Sequence, residues 1–323
     1  MTSTETLLGP IAGELQEFER RLHECVHGDL GPMAEAMEHI VNAGGKRLRP
    51  ALVILSAQLG DADRDHTHAL AMGLEFIHTA TLVHDDLIDD AETRRGLSTI
   101  HSMLGANPAI IVGDYYFARG ANLTASIGIP RIDEVISATV MTICMGELLQ
   151  MISKRDFDQT VEAYDAKIER KTAALLRACT YCGALVAHMD EHRQEALSRY
   201  GSQLGMAFQM ADDVLDYVAT AEQVGKPTGA DLKQGTVTLP LMYALEDPDV
   251  GPSLRALLAR EHLEDQDYAE VVGLVRGSTG IERSERRAHE FADRARAELA
   301  VFPPSQARST LESLCDYVVE RPL

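Results

Sequence analysis

The sequence predicts an all-α protein, and three observations carry that prediction. Between Pro130 and Pro227 lie 96 residues without proline, rich in Ala, Leu, Met and Ile, with apolar residues recurring at helical spacing. Strand signals are scarce: the β-branched run from Ala109 to Val112 is short and merges into a helical pattern, and no alternating pair of segments is joined by an Asn-Gly type turn. Prolines elsewhere, at Pro50, Pro108, Pro130, Pro240 and Pro252, fall where helices would begin, since proline's missing N–H is harmless there.

In chain order, Gly44 and Gly45 can end one helix, and Pro50 opens the next. Between them Lys46, Arg47 and Arg49 and the exposed backbone N–H groups become available to an anion, although a plain helical corner with solvated basic residues has the same pattern. An apolar run from Phe76 to Leu82 then leads into Asp85, Asp86, Asp89 and Asp90. Arg94 and Arg95 before Gly96 read as a helix end, where arginines favour the negative dipole and glycine caps. The proline-free stretch supplies several long helices, one of which carries Met206 to Met210 and then Asp212, Asp213 and Asp216. No tandem repeat or low-complexity tract interrupts the pattern.

At 323 residues the usual size of about 100–200 residues per domain suggests two domains. A single domain over residues 1–323 is the better reading, because no linker rich in Ser, Gly or Pro separates the two aspartate clusters, which are expected to build one site. No apolar run approaches the length of a membrane span, and the first 30 residues lack a basic region followed by an apolar core, so a soluble, cytoplasmic chain is expected. Of five cysteines, Cys179 and Cys182 form the one close pair, with no second pair or nearby histidine to complete a zinc site, and read as structural. The net charge is −20, with 50 acidic residues and 24 Arg against 6 Lys. So acidic a chain has no basic face for nucleic acid and points to a saline environment, where screening relieves self-repulsion.

The aspartates carry the chemistry. Residues four apart on a helix stack one turn apart on one face, so Asp85 with Asp89, and Asp212 with Asp216, each present two carboxylates together. One such D-D-x-x-D is also what a solvated acidic face looks like. Two of them, 127 residues apart and both in apolar sequence, must be protonated, paired or metal-bound. Hard oxygen ligands in this arrangement suit Mg²⁺, which takes a few carboxylates and completes its octahedron with water and phosphate oxygens. Two facing clusters would clamp a diphosphate, and the −20 charge requires a local reversal of sign by metal and arginine.

With these pieces assembled, the chain resembles the trans-type isoprenyl diphosphate synthases, the polyprenyl synthase family. The resemblance rests on G-G-K-R-x-R-P at residues 44–50, His78, the first aspartate cluster with its trailing R-R-G through Gly96, Lys171 with Thr172, and F-Q-x-x-D-D-x-x-D at 208–216. Gly225-Lys226-Pro227 followed by Asp231 and Leu232 extends it. It implies a bundle of long helices around a central substrate cavity, a homodimer, and a condensation in which an allylic diphosphate loses its diphosphate and is attacked by the double bond of isopentenyl diphosphate. It further implies two or three Mg²⁺ ions held mainly by Asp85, Asp89 and Asp212, supported by Asp86 and Asp216. Arg94, Lys171, Thr172, Gln209 and Lys226 would serve the allylic diphosphate, with oxygens of Thr172 and Gln209 near the cationic carbon. Lys46, Arg49, His78 and Arg95 would hold isopentenyl diphosphate. His78 lies seven residues, two turns, before Asp85 and so on its face. There is one departure: many members carry lysine where this chain has Thr236, and Lys233 is the nearby substitute.

The resemblance also implies that the growing tail runs back along the helix that carries Asp85, so residues one to three turns upstream form its floor. Ala80 and Thr81 are small where short-chain members place aromatics, which leaves the path open, and Leu74 is the candidate for a deeper stop. A long-chain product, about six isoprene units or more, is expected at roughly 5.4 Å per turn. The alternative is a geranylgeranyl diphosphate synthase whose floor comes from another helix. A terpene cyclase would replace the second cluster by an Asn/Ser/Glu triad, and a non-catalytic partner subunit of a heteromeric synthase would not need to keep both clusters.

Overall fold

The structure is a computed structural model that describes residues 4–27, 45–94, 96–219, 228–260 and 262–320. The expectations for Gly44, Arg95, Gly225, Lys226 and Pro227 fall outside the described residues. The described chain is helical almost throughout. After a turn of helix at Thr4–Leu7 come α1 (Ala12–His27), α2 (Leu48–Ala57), α3 (Arg64–Ile88), α4 (Ile100–Leu104), α5 (Ala106–Ala125) and α6 (Pro130–Ile152). Then follow α7 (Val161–Ile168), a π-helical turn (Glu169–Ala173), α8 (Ala174–Val186) and α9 (Glu191–Val218). The chain finishes with α10 (Ala230–Lys233), α11 (Leu239–Glu246), α12 (Gly251–Leu258), α13 (Asp265–Gly277), α14 (Gly280–Glu298) and α15 (Gln306–Val319).

The proline expectation holds to within the first turn: Pro130 is the first residue of α6, Pro240 and Pro252 the second of α11 and α12, and Pro50 and Pro108 the third of α2 and α5. Two expectations need correction. The segment after the first aspartates is not a helix end capped by Gly96. Helix α3 stops at Ile88, and Thr93–Arg94 (β1) pairs antiparallel with Leu97–Ser98 (β2), Gly96 supplying a positive φ of 78° in the turn. The second correction concerns α6, which is long and apolar enough to cross a membrane by length and composition, although no such run was expected. Its charged residues sit at Arg131, Asp133, Glu134 and Glu147, which leaves an uncharged stretch between them.

Contacts divide the chain into two compact units, residues 1–139, 175–201 and 298–314 in one and residues 140–174, 202–297 and 315–323 in the other. In the first unit α3 packs along α5. Gly120 permits this: a Cβ there would lie 2.6 Å from the Gly73 carbonyl oxygen and 2.8 Å from the Ile77 side chain. At the far end of the same seam, a Cβ on Gly113 would collide with the His84 ring. Phe76 stacks on Tyr116 at 5.4 Å between ring centroids. Asp63 caps the start of α3 by accepting from the His66 amide at 2.9 Å. Both Cys179 and Cys182 are fully buried free thiols in α8, and burial pushes the Cys179 thiol up to about 12, which makes it inert. In the second unit the π-helical turn is pinched between α6 and α9. A Cβ on Gly146 would lie 2.6 Å from the Lys171 amide nitrogen, and one on Gly205 would lie 2.5 Å from the Ala173 Cα.

Candidate functional site

The first aspartate cluster forms the C-terminal end of α3. Asp85 and Asp86 lie in its last turn and Asp89 is the C-cap, with φ −87° and ψ 0°, so it still stacks one turn beyond Asp85. The Asp89 amide donates to the Asp85 carbonyl at 2.9 Å, and Asp90 then leaves the helix with φ 51°. Carboxylates here face the negative end of the helix dipole, with no basic residue in the last turn. That arrangement is locally unfavourable to the carboxylates. Asp85 and Asp89 are half-buried, whereas Asp86 is buried and accepts from Arg94 Nε at 2.7 Å. Burial pushes the Asp86 carboxyl above its ordinary pKa, against the pull of the Arg94 guanidinium.

Three residues of the basic block are described around the start of α2. Lys46 is exposed and Arg49 half-buried, but Arg47 turns inward from a left-handed backbone with φ 46°. Its guanidinium contacts Glu75 at 2.8 Å and Glu19 at 2.5 Å, which ties the block to α3 ten residues before Asp85. Sequence reasoning missed Glu75, a buried acid in an apolar stretch whose position next to Phe76 was the available signal. His78 is half-buried, and its carbonyl accepts from the Thr81 hydroxyl at 2.7 Å. At about 100° per residue, Leu74, His78, Thr81 and Asp85 share one face of α3. Ala80, fully buried, falls instead about 140° away from Asp85, on the stripe of Gly73, Ile77 and His84 that packs on α5.

The second cluster lies in the last two turns of α9, again with no basic residue in the final turn. Asp212 is half-buried; Asp213 and Asp216 are buried. Asp213 is the hub of a network: it accepts from the Tyr164 hydroxyl at 2.7 Å and from Gln209 Nε2 at 2.8 Å, and Gln209 Oε1 accepts from the Thr172 hydroxyl at 2.7 Å. Burial, reinforced by Asp231 nearby, pushes the Asp213 carboxyl up to about 7. Asp216 accepts from the Asp231 amide at 3.2 Å and the Gly229 amide donates to its carbonyl at 2.9 Å, which anchors the segment leading into α10. The π-helical turn brings Lys171 to Glu147 on α6 at 2.5 Å and Thr172 to Gln209. An extra residue in the turn re-aims side chains, a common device at functional sites. Lys233, the substitute considered for Thr236, is exposed and paired with Asp265 at 2.5 Å. Tyr164 and the buried Lys167 were also missed, though Lys167 stands four residues before Lys171, the helical spacing that shares a face.

The described structure is all-α, with one carboxylate cluster at the C-terminal end of α3 and another at that of α9, each beside hydrogen-bonded polar side chains. Comparison with known proteins agrees. The family model for polyprenyl synthetase matches residues 32–275. Heptaprenyl diphosphate synthase component 2 of Geobacillus stearothermophilus is 39% identical over 311 residues, covering 96% of this chain and 97% of that protein. Solanesyl-diphosphate synthase 2 of Oryza sativa subsp. japonica is 37% identical over 326 residues, covering 99% and 80%. The crystal structure of a polyprenyl synthase from Caulobacter crescentus CB15, complexed with calcium and isoprenyl diphosphate, superposes with a TM-score of 0.92 at 35% identity, covering 99% and 98%. The chain belongs to the polyprenyl synthetase family of prenyltransferases.

Proposed function

We propose that this prenyltransferase condenses isopentenyl diphosphate with an allylic diphosphate, head to tail in 1'-4 fashion, to give a long-chain trans-polyprenyl diphosphate. The observation that carries the reading is the pair of D-D-x-x-D clusters, each at the C-terminal end of a long helix without a basic residue in its last turn. The donor set fits Mg²⁺. The half-buried Asp85, Asp89 and Asp212 offer hard oxygen ligands, and Mg²⁺ favours a few carboxylates with water and phosphate oxygens. Asp85, Asp89 and Asp212 would hold two or three ions, with Asp86 and Asp216 in support. Held there, such ions would offset the negative charge that grows on the departing diphosphate and so favour the transition state over the ground state.

The chain's own residues supply the rest. Arg94, Lys171, Gln209 and Lys226 bind the allylic diphosphate. The Thr172 hydroxyl spends its proton on Gln209 Oε1, so its lone pairs remain for the electron-poor carbon. Lys46, Arg49, His78 and Arg95 position isopentenyl diphosphate. Arg47, fixed between Glu19 and Glu75, orients Lys46 just before α2 and Arg49 in its first turn.

Residues 1–323 act as one catalytic domain in this reading, in the cytoplasm, as a homodimer. Met141, Met145, Leu148 and Ile152 are exposed at helical spacing on α6, an apolar stripe suited to a second copy of the chain. A heteromeric role is the second reading, favoured by the Geobacillus relative, which is component 2 of a heptaprenyl diphosphate synthase. Incubation of the purified chain with Mg²⁺, isopentenyl diphosphate and a labelled allylic primer, followed by chromatography, decides between them. Turnover by the chain alone to long products supports the proposal; none without a second protein supports the heteromer.

A further inference from the structure

Lys167 is a buried cation that the reaction scheme above does not use. Only 4% of its surface is exposed, near the end of α7. Among the described residues its ammonium reaches two acceptors, Gln159 Oε1 at 3.3 Å and the Val237 carbonyl at 3.4 Å, both uncharged. Among the described residues no carboxylate pairs with it at ion-pair distance. An ammonium has three donors and is costly to bury without an anion. Burial weighs most against its charge; of the charged groups around it Asp213 comes first, then Lys171 and Asp156, so it sits within the electrostatic reach of the second aspartate cluster and of the diphosphate-binding lysine. Val237 belongs to the segment between α10 and α11, whose neighbouring Thr236 offers no charge and whose Lys233 is occupied by Asp265.

We propose that Lys167 is a positioning residue for the allylic diphosphate: it fixes segment 235–240 through the Val237 carbonyl and supplies the positive charge that this segment lacks at Thr236. Its counter-anion is the bound diphosphate rather than a protein carboxylate. The inference rests on the prenyltransferase reading, and its test separates the two.

Lys167→Met keeps an unbranched side chain one atom shorter and removes the charge. The allylic KM, the isopentenyl diphosphate KM, the thermal midpoint and the affinity for inorganic diphosphate with Mg²⁺ are measured for the wild type, Lys167→Met and Lys167→Met/Thr236→Lys. Loss of one charge-assisted contact should raise the allylic KM and weaken inorganic diphosphate binding about tenfold. The isopentenyl diphosphate KM should stay within about twofold, and the midpoint should not fall, because an apolar replacement of a buried charge is often neutral or stabilising. Thr236→Lys should restore most of the affinity, a rescue that a merely structural lysine would not allow. Equal diphosphate affinity in wild type and Lys167→Met overturns the inference whatever the turnover. So does a loss of affinity with a lowered midpoint that Thr236→Lys leaves unrepaired. A Lys167-dependent diphosphate affinity in a chain that turns over nothing by itself supports the inference and overturns the reading that the chain acts alone.

Discussion

Thr81→Phe should shorten the product, and the geometry of α3 sets by how much. Thr81 precedes Asp85 by one helical turn on the same face, and Leu74 lies seven residues further back in the same phase. Those seven residues rise about 10.5 Å, the length of roughly two isoprene units. From Asp85 to Leu74 the rise is about 16 Å, room for about three units. Leu74 as an absolute stop therefore belongs to the shorter, geranylgeranyl-type product, and a tail of about six units must run past it toward the start of α3, roughly 31 Å from Asp85. A tail halted at Thr81→Phe then loses at least about two units, while early condensations persist because the ring lies clear of the aspartates. Ala80→Phe is the matched control. Its side chain enters the seam with α5 and should cost about 1–3 kcal/mol through overpacking, read as a lower thermal midpoint. Reversed-phase chromatography of dephosphorylated products, with labelled primer at saturating isopentenyl diphosphate, measures the length. Unchanged products from an active Thr81→Phe enzyme would refute the phase argument.

Two other predictions concern stability and surface. Arg47→Met leaves Glu75 buried without its cation and should lower stability by about 3–5 kcal/mol, measured by urea denaturation, with a raised KM for isopentenyl diphosphate; unchanged values for both would remove Arg47 as the anchor of the basic block. The thermal midpoint should rise between dilute and molar KCl as screening relieves repulsion across a chain of charge −20; a flat or falling curve would end the saline interpretation.

Much of this was legible in the residues because it is local. Helix class follows from periodicity and proline placement, and the paired aspartates follow from i, i+4 spacing, which no tertiary contact alters. What escaped depends on partners distant in sequence. Nothing near Arg47 announces Glu75, 28 residues away, and nothing near Asp213 announces Tyr164, 49 residues away. The π-helical turn is invisible without Gly146 and Gly205, whose missing side chains let α6 and α9 close on it. The hairpin at 93–98 escaped because two-residue strands carry no alternation to detect.

The central claim is that both aspartate clusters act through divalent metal on one diphosphate. Its most direct measurement is condensation activity as a function of Mg²⁺ for the wild type, Asp85→Ala and Asp212→Ala, with helical content followed by circular dichroism. Each variant should lose most of its activity at unchanged helicity, and excess chelator should abolish wild-type turnover until Mg²⁺ is restored. Wild-type rates in excess chelator, or full activity in either variant, would contradict the account.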